Sequence, residues 1–282
     1  MEPSPIILVG TQRSGTTWLG SVFARHPRLA YWSEPRHVWT MGNSYTPDDV
    51  LTASHATPRV RARIRRAFDA HVRRLGKDRL VEKTPSNCLR LPFIRAVFPE
   101  AKILLVVRDG RSVIRSTEDI LDKGVPLRRV LQRAAQTPLW DWPAYAGQAA
   151  MTLSRKVSRK PLAFWGPRPP GWRDWVRDDP PDVVLARQWA GTIMPAVRAG
   201  EVMDPGSFHR FRYEDLMARP REIMSRIVEF CGLSGAEPLV EHVEKTADPA
   251  RQDKWRDQLD AATLELIRPH MEPVLLELGY AW

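Results

Sequence analysis

Residues 10 to 17 read Gly-Thr-Gln-Arg-Ser-Gly-Thr-Thr, a glycine, four residues and a second glycine, set between an apolar run and a helical pattern. A turn in that setting points successive backbone N–H groups and a helix N-terminus at one spot, which is an anion site. The nucleotide triphosphatase version of the loop continues with Lys, for the β and γ phosphates, and then a hydroxyl residue for magnesium. Here Thr16 stands in the lysine position and the nearby cation is Arg13. The loop is therefore expected to hold a single phosphate, with the Thr16 and Thr17 hydroxyls and the Ser14 and Gly15 amides as donors.

A second candidate lies where the run Lys102 to Val107 ends in Arg108-Asp109-Gly110-Arg111-Ser112. In an open parallel sheet, ligands bind beyond the carboxyl ends of the strands, and Arg108 occupies such a place. Asp109 at the same strand end leaves a second reading open, the magnesium-binding acid of a P-loop nucleotide kinase. The missing loop lysine argues against it.

Arg13-Ser14-Gly15-Thr16-Thr17-Trp18 resembles the 5′-phosphosulfate loop of the sulfotransferase superfamily that uses 3′-phosphoadenosine-5′-phosphosulfate (PAPS), with Arg where cytosolic members usually have Lys. By that resemblance Arg13 contacts the transferring sulfuryl group and its bridging oxygen, and Trp18 stacks on the adenine. Relatives bind the 3′-phosphate with an Arg at the end of the later strand and a Ser eight residues on, the spacing of Arg108 and Ser116. Ser33-Glu34-Pro35-Arg36-His37 is similar to a segment of bacterial and carbohydrate-type members in which the glutamate is the base. Glu34 is thus the expected base, with His37 as the alternative. Glu82-Lys83-Thr84-Pro85 is similar to a segment whose lysine points into the site, so Lys83 is expected to position the sulfuryl group or the acceptor. Phe211 to Leu216 resembles an architectural segment, and Arg251 to Arg256 loosely resembles a basic loop that closes over the nucleotide, implicating Arg251, Lys254 and Trp255. The resemblance implies transfer of a sulfuryl group from PAPS to a hydroxyl or amine, with no metal required because there is less charge to neutralise than in phosphoryl transfer.

The elements that must position these residues follow from periodicity. Continuous apolar runs at Pro5 to Val9 and Lys102 to Val107 read as strands buried on both faces of a parallel sheet, with weaker strands at Leu29 to Trp32, Arg79 to Glu82 and Phe208 to Tyr213. Helical spacing follows Gly15 and Gly110 and covers most of Asp48 to Leu75, Pro92 to Val97, Val183 to Ala199, Met217 to Phe230 and Ala262 to Leu278. Alternating strands and helices predict an α/β fold, a P-loop-type parallel sheet with helices on both faces. Residues 1–282 are expected to form one sulfotransferase domain. Between 123 and 182, where prolines cluster with Trp140, Trp142, Trp165, Trp172 and Trp175, an insertion or lid is expected, its rings packed against the body or a ligand.

Composition bounds the rest. A chain of 282 residues, 43% hydrophobic and 27% charged, has the make-up of a folded globular protein. No apolar stretch is long enough to span a membrane and no signal-type segment opens the chain, so a cytoplasmic protein is expected. The two cysteines, Cys88 and Cys231, form no disulfide framework or metal cluster and are expected to pack as small hydrophobes. A net charge of +10, carried mostly by arginine, suits phosphate or sulfate recognition, because guanidinium grips such groups bidentately. It also leaves open a basic nucleic-acid-binding module, although no nucleic-acid motif is present and no nucleic-acid partner is expected. The acceptor is expected to be a small molecule, carbohydrate or lipid, since aromatic rings stack on all three. The sequence is silent on oligomeric state.

Overall fold

The computed structural model describes residues 4–123, 164–252 and 255–282. Five strands, β1 (Ile6–Val9), β2 (Leu29–Ser33), β3 (Arg79–Lys83), β4 (Lys102–Val107) and β5 (Phe208–Arg212), form one sheet of order β2-β3-β1-β4-β5. Every neighbouring pair is parallel. β1 is the centre: the chain first moves outward through α1 (Thr16–Phe23) to β2 and β3, then crosses to the other side for β4 and β5. That reversal opens a crevice at the carboxyl ends of β1 and β4, where doubly wound sheets place a ligand.

β1 and β4 read as unbroken apolar runs because both of their faces are covered. Ile7 and Val9 with Ile103, Leu105 and Val107 pack on one side, beneath α3 (Pro58–Arg74), α4 (Leu91–Val97), α5 (Gly110–Lys123), α7 (Pro181–Glu201) and α12 (Ala261–Glu277). Ile6 and Leu8 with Leu104 and Val106 pack on the other, beneath α1, α8 (Tyr213–Ala218), α9 (Pro220–Cys231) and α10 (Glu237–Thr246). Helices on both faces follow directly. Both cysteines are free and buried, as expected for small hydrophobes.

One helix expectation needs correction and one helix is added. Most of Asp48 to Leu75 is helical, through α3: Thr57 caps its start by accepting from the Val60 amide, and Pro58 is its first residue. The helix expected from Met217 to Phe230 is two, because Pro220 lacks an N–H to continue α8 and instead opens α9. α10 was not expected at all. The short α2 (Arg36–Trp39), α6 (Trp172–Asp178) and α11 (Trp255–Gln258) complete the described helices.

Most of the stretch from 123 to 182, with Trp140 and Trp142, lies outside the described residues. Of its described rings, Trp172 is buried and donates from Nε1 to the Pro47 carbonyl at 3.1 Å, so this end of the segment packs on the body. Among the described residues no helix is long and apolar enough to cross a membrane.

Where α5 meets the start of α7, burial, and then a hydrogen bond with Asp182, push the Glu118 carboxyl up from 4.5 to about 7. The folded chain therefore keeps this proton while the unfolded chain releases it near 4.5, so stability falls as pH rises between those values. Glu118→Gln removes the titration. Its melting temperature should exceed that of the parent by about 2–6 °C at pH 8, and the gap should close at pH 4.5. A gap independent of pH would remove Glu118 as its source.

Candidate active site

Because all strands run the same way, their carboxyl ends bring Gly10, Glu34, Lys83, Arg108 and Tyr213 to one edge of the sheet. Gly10 opens the loop where no side chain fits: a Cβ there would lie 2.6 Å from Ser14 Oγ and 2.9 Å from the Val106 carbonyl. At the other end Gly15, with φ +89°, is the N-cap of α1, and no side chain caps that helix. The first-turn amides, which have no intrahelical acceptors, are thereby left for an anion. Ser14 secures the loop by donating to the Thr11 carbonyl at 2.7 Å.

Two non-glycine residues among those described have left-handed backbones, Arg13 (φ +64°) and Glu34 (φ +55°). Such a conformation is costly for a residue with a Cβ and concentrates at functional sites. Both residues were singled out from sequence.

Lys83 joins Glu34 to the first turn of α1. Its side chain is 1% exposed, and its Nζ donates to Glu34 Oε1 at 2.8 Å and to Thr17 Oγ1 at 3.1 Å. The Glu34 amide also donates to the Lys83 carbonyl at 2.7 Å, so backbone and side chain both hold Glu34 against β3. The Glu34 side chain keeps 28% exposure, enough to reach an incoming group. His37 lies on α2 with its ring edge-on to Trp32, centroids 5.9 Å apart.

On the β4 side, Arg13 Nε donates to Ser116 Oγ at 2.8 Å and Arg108 Nη1 donates to the Arg13 carbonyl at 2.8 Å. The Arg108 guanidinium lies 4.5 Å over the Tyr213 ring. Arg13, expected at the sulfuryl group, and Ser116, expected at the 3′-phosphate, are therefore in direct contact. Thr16 is buried beneath the loop, and Trp18 is half-buried against the α1 side of the core.

The loop after α10 is tied to α5 by Ser112 Oγ donating to the Gln252 carbonyl at 2.7 Å. Arg251 ends a short 3₁₀ turn there, and Lys254 lies outside the described residues. Trp255 is buried under the Arg111 guanidinium at 4.0 Å. Asp109, which kept the kinase reading open, takes Arg111 Nε at 3.0 Å and Nη2 at 2.7 Å. Its oxygens are engaged by a guanidinium. No group of three or more potential metal ligands occurs among the described residues.

Sequence reasoning missed several buried groups. Glu82 is completely buried, accepts from Thr84 and from Asn87 Nδ2, and is pushed up to about 7, chiefly by burial. Gln12 of the loop donates to Gln188 at 2.7 Å, and Gln188 donates to the carbonyls of Trp165 and Pro167, joining the loop to the segment from 164 onward. Glu214 accepts from the Asp109 amide at 3.0 Å and from Tyr280 at 2.7 Å, fixing the strand end that carries Arg108. The contacts of Gln12, Gln188 and Glu214 join distant positions and carry no local mark, whereas those of Glu82 are local and become telling only once its complete burial is seen.

Comparison with known proteins agrees with this architecture. The chain is 24% identical over 318 residues to nodulation protein NoeE of Sinorhizobium fredii, covering 99% of this chain and 67% of that protein. The sulfotransferase domain of the Synechococcus PCC 7002 olefin synthase superposes with a TM-score of 0.57 at 18% identity, covering 100% and 98% of the two chains. The sulfotransferase domain from the curacin biosynthetic pathway gives 0.55 at 16% identity, covering 99% and 98%. These structures share the fold. The profile of the sulfotransferase family matches residues 5–160 and 152–238, and with the uncapped loop and the Lys83 bridge at the sheet edge it places the chain in that family: the protein is a sulfotransferase.

Proposed function

We propose that the donor is PAPS and that Glu34 activates a hydroxyl or amine of a small-molecule, carbohydrate or lipid acceptor. The Lys83 bridge from Thr17 to Glu34 carries this reading, because it couples the phosphate loop to a carboxylate that is partly open to solvent. The Ser14 and Gly15 amides and the Thr16 and Thr17 hydroxyls would hold the 5′ phosphosulfate, Arg108 and Ser116 the 3′-phosphate, and Trp18 the adenine. Arg251, Lys254 and Trp255 belong to the same nucleotide-facing loop in this reading. The cradle fits such a donor: a Cβ would fill the space at Gly10 and Gly15, and the loop lacks the lysine that a triphosphate demands.

Glu34 takes the proton as the acceptor oxygen or nitrogen bonds to sulfur. The bond from sulfur to the bridging oxygen breaks, and Arg13 and Lys83 stabilise the charge that gathers there. Adenosine-3′,5′-bisphosphate leaves. We further propose a single catalytic domain carrying an insertion or lid at about 123–182, and a cytoplasmic location.

Thermal shift tests the donor assignment. At about 100 times its Kd the bisphosphate adds ~2.7 kcal/mol, several degrees in melting temperature for a chain this size. Stabilisation by ATP with magnesium, and none by the bisphosphate, would reverse the assignment.

A further inference from the structure

Beyond the end of β2, on the side of β1 opposite Arg108, three arginines converge on one carboxylate. Asp49, 5% exposed, accepts from Arg168 Nη2 at 2.7 Å and Nε at 3.2 Å, and lies 3.5 Å from Arg36 Nη2 and 3.8 Å from Arg90 Nη2. Its amide and carbonyl neighbours repeat the tie: the Arg168 amide donates to Asp49, and the Asp49 amide donates to the Arg168 carbonyl, both at 2.9 Å. Although burial works against ionisation, Arg36, Arg168 and Arg90 hold the Asp49 carboxyl below its ordinary value.

One carboxylate cannot balance three guanidiniums. Burial lowers Arg90 only to about 10, so it remains charged at neutral pH. The nearby Glu34 is matched by Lys83, and Glu82, which faces Arg90, is ionised only in part because burial raises it to about 7. An excess of positive charge remains. Two observations show where an anion would relieve it. Arg90 Nη1 is buried with no hydrogen-bond partner. Arg36, whose side chain is 30% exposed, uses only Nη2, in long contacts with Asp49, Ser86 Oγ at 3.5 Å and the Gly166 carbonyl at 3.4 Å, while its Nε and Nη1 bond to none of the described residues.

Arg36 is also placed to meet an acceptor. It stands two residues after Glu34, and Gly166, which it touches, packs on Gln12 of the phosphate loop. The nucleotide residues Arg108 and Ser116 lie across β1, so a group seated on Arg36 would not compete with the 3′-phosphate. We infer that the acceptor carries an oxyanion, a carboxylate, phosphate or sulfate, which Arg36 grips at the edge of this arginine cluster beside Glu34. This deepens the reading of Glu34 as the base and rests on it. A guanidinium fork suits any of the three groups.

The test uses the full chain saturated with adenosine-3′,5′-bisphosphate, titrated with inorganic sulfate at constant ionic strength against chloride, with phosphate and acetate as parallel arms. Sulfate or one of the other oxyanions should raise the melting temperature by about 2–5 °C, and the arm with the largest response names the group. Arg36→Gln should weaken that response at least tenfold, with bisphosphate affinity unchanged, and Arg36→Lys, which keeps the charge but not the fork, should fall between them. Equal responses to chloride and all oxyanions, or an undiminished response in Arg36→Gln, would overturn the inference. So would transfer of label from radioactive donor only to acceptors of the neutral fraction, when an acceptor pool is separated by anion exchange before the reaction and each fraction is incubated by itself. Failure of the bisphosphate to bind at the outset is a separate result and strikes the donor assignment instead.

Discussion

Glu34→Gln should slow sulfuryl transfer by about 10²- to 10⁴-fold, the range for a lost general base, while bisphosphate affinity changes by less than about twofold. The amide has the shape of the carboxylate and can still accept from Lys83 Nζ, now 2.8 Å from Glu34 Oε1, so the loop and β3 stay joined through Thr17. What it cannot do is take a proton from the acceptor. The backbone also holds the residue in place, through the Glu34 amide to the Lys83 carbonyl, which a side-chain change leaves intact. Single-turnover transfer and bisphosphate titration, measured on the same preparation, separate the two quantities. Retention of the parent rate would take the role from Glu34, and a matching loss in His37→Asn would give it to the ring that now packs on Trp32.

How much of this was readable beforehand depends on whether the signal was local. β1 and β4 declared themselves because strands covered on both faces must be apolar throughout, and their parallel order required the crossing helices that the sequence also displayed. Of the site residues at strand ends, Arg108 was legible because it follows a recognisable strand, while Glu34 and Lys83 were legible through segments that resemble those of relatives; parallel strands deliver all three to one edge. α10 escaped because its buried residues, Leu239, Val240 and Val243, are few and stand among charges. The arginine cluster escaped for a different reason. Arg36, Asp49, Arg90 and Arg168 are scattered along the chain, and in a sequence so rich in arginine none stands out until folding sets three of them against one carboxylate. The left-handed backbones of Arg13 and Glu34 carry no sequence mark either, since such strain is imposed by the surrounding structure.

Gly15→Ala should be more damaging than its single methyl suggests, lowering the melting temperature by about 5–12 °C and bisphosphate affinity at least tenfold. Two costs combine. At φ +89° any side chain meets the left-handed penalty, ~1–2 kcal/mol. In addition the new Cβ would lie 2.5 Å from two carbons of the Tyr213 ring. That ring is buried and lies under the Arg108 guanidinium, so its retreat would disturb the residue assigned to the 3′-phosphate. Overpacking of this kind costs about 1–3 kcal/mol, which a marginally stable fold feels directly. Gly232→Ala is the matched control, because Gly232 has φ +61° at the end of α9 but nothing within 4 Å of an added Cβ. It should show only the conformational part, about half the loss of stability, and no loss of nucleotide binding. If the two variants lose the same stability and both keep nucleotide affinity, the contact between the phosphate loop and Tyr213 does not shape the donor site. Partial recovery of binding in Gly15→Ala with Tyr213→Ala would instead locate the damage in that contact, since the shortened residue 213 removes the obstacle while leaving the strained backbone as it was.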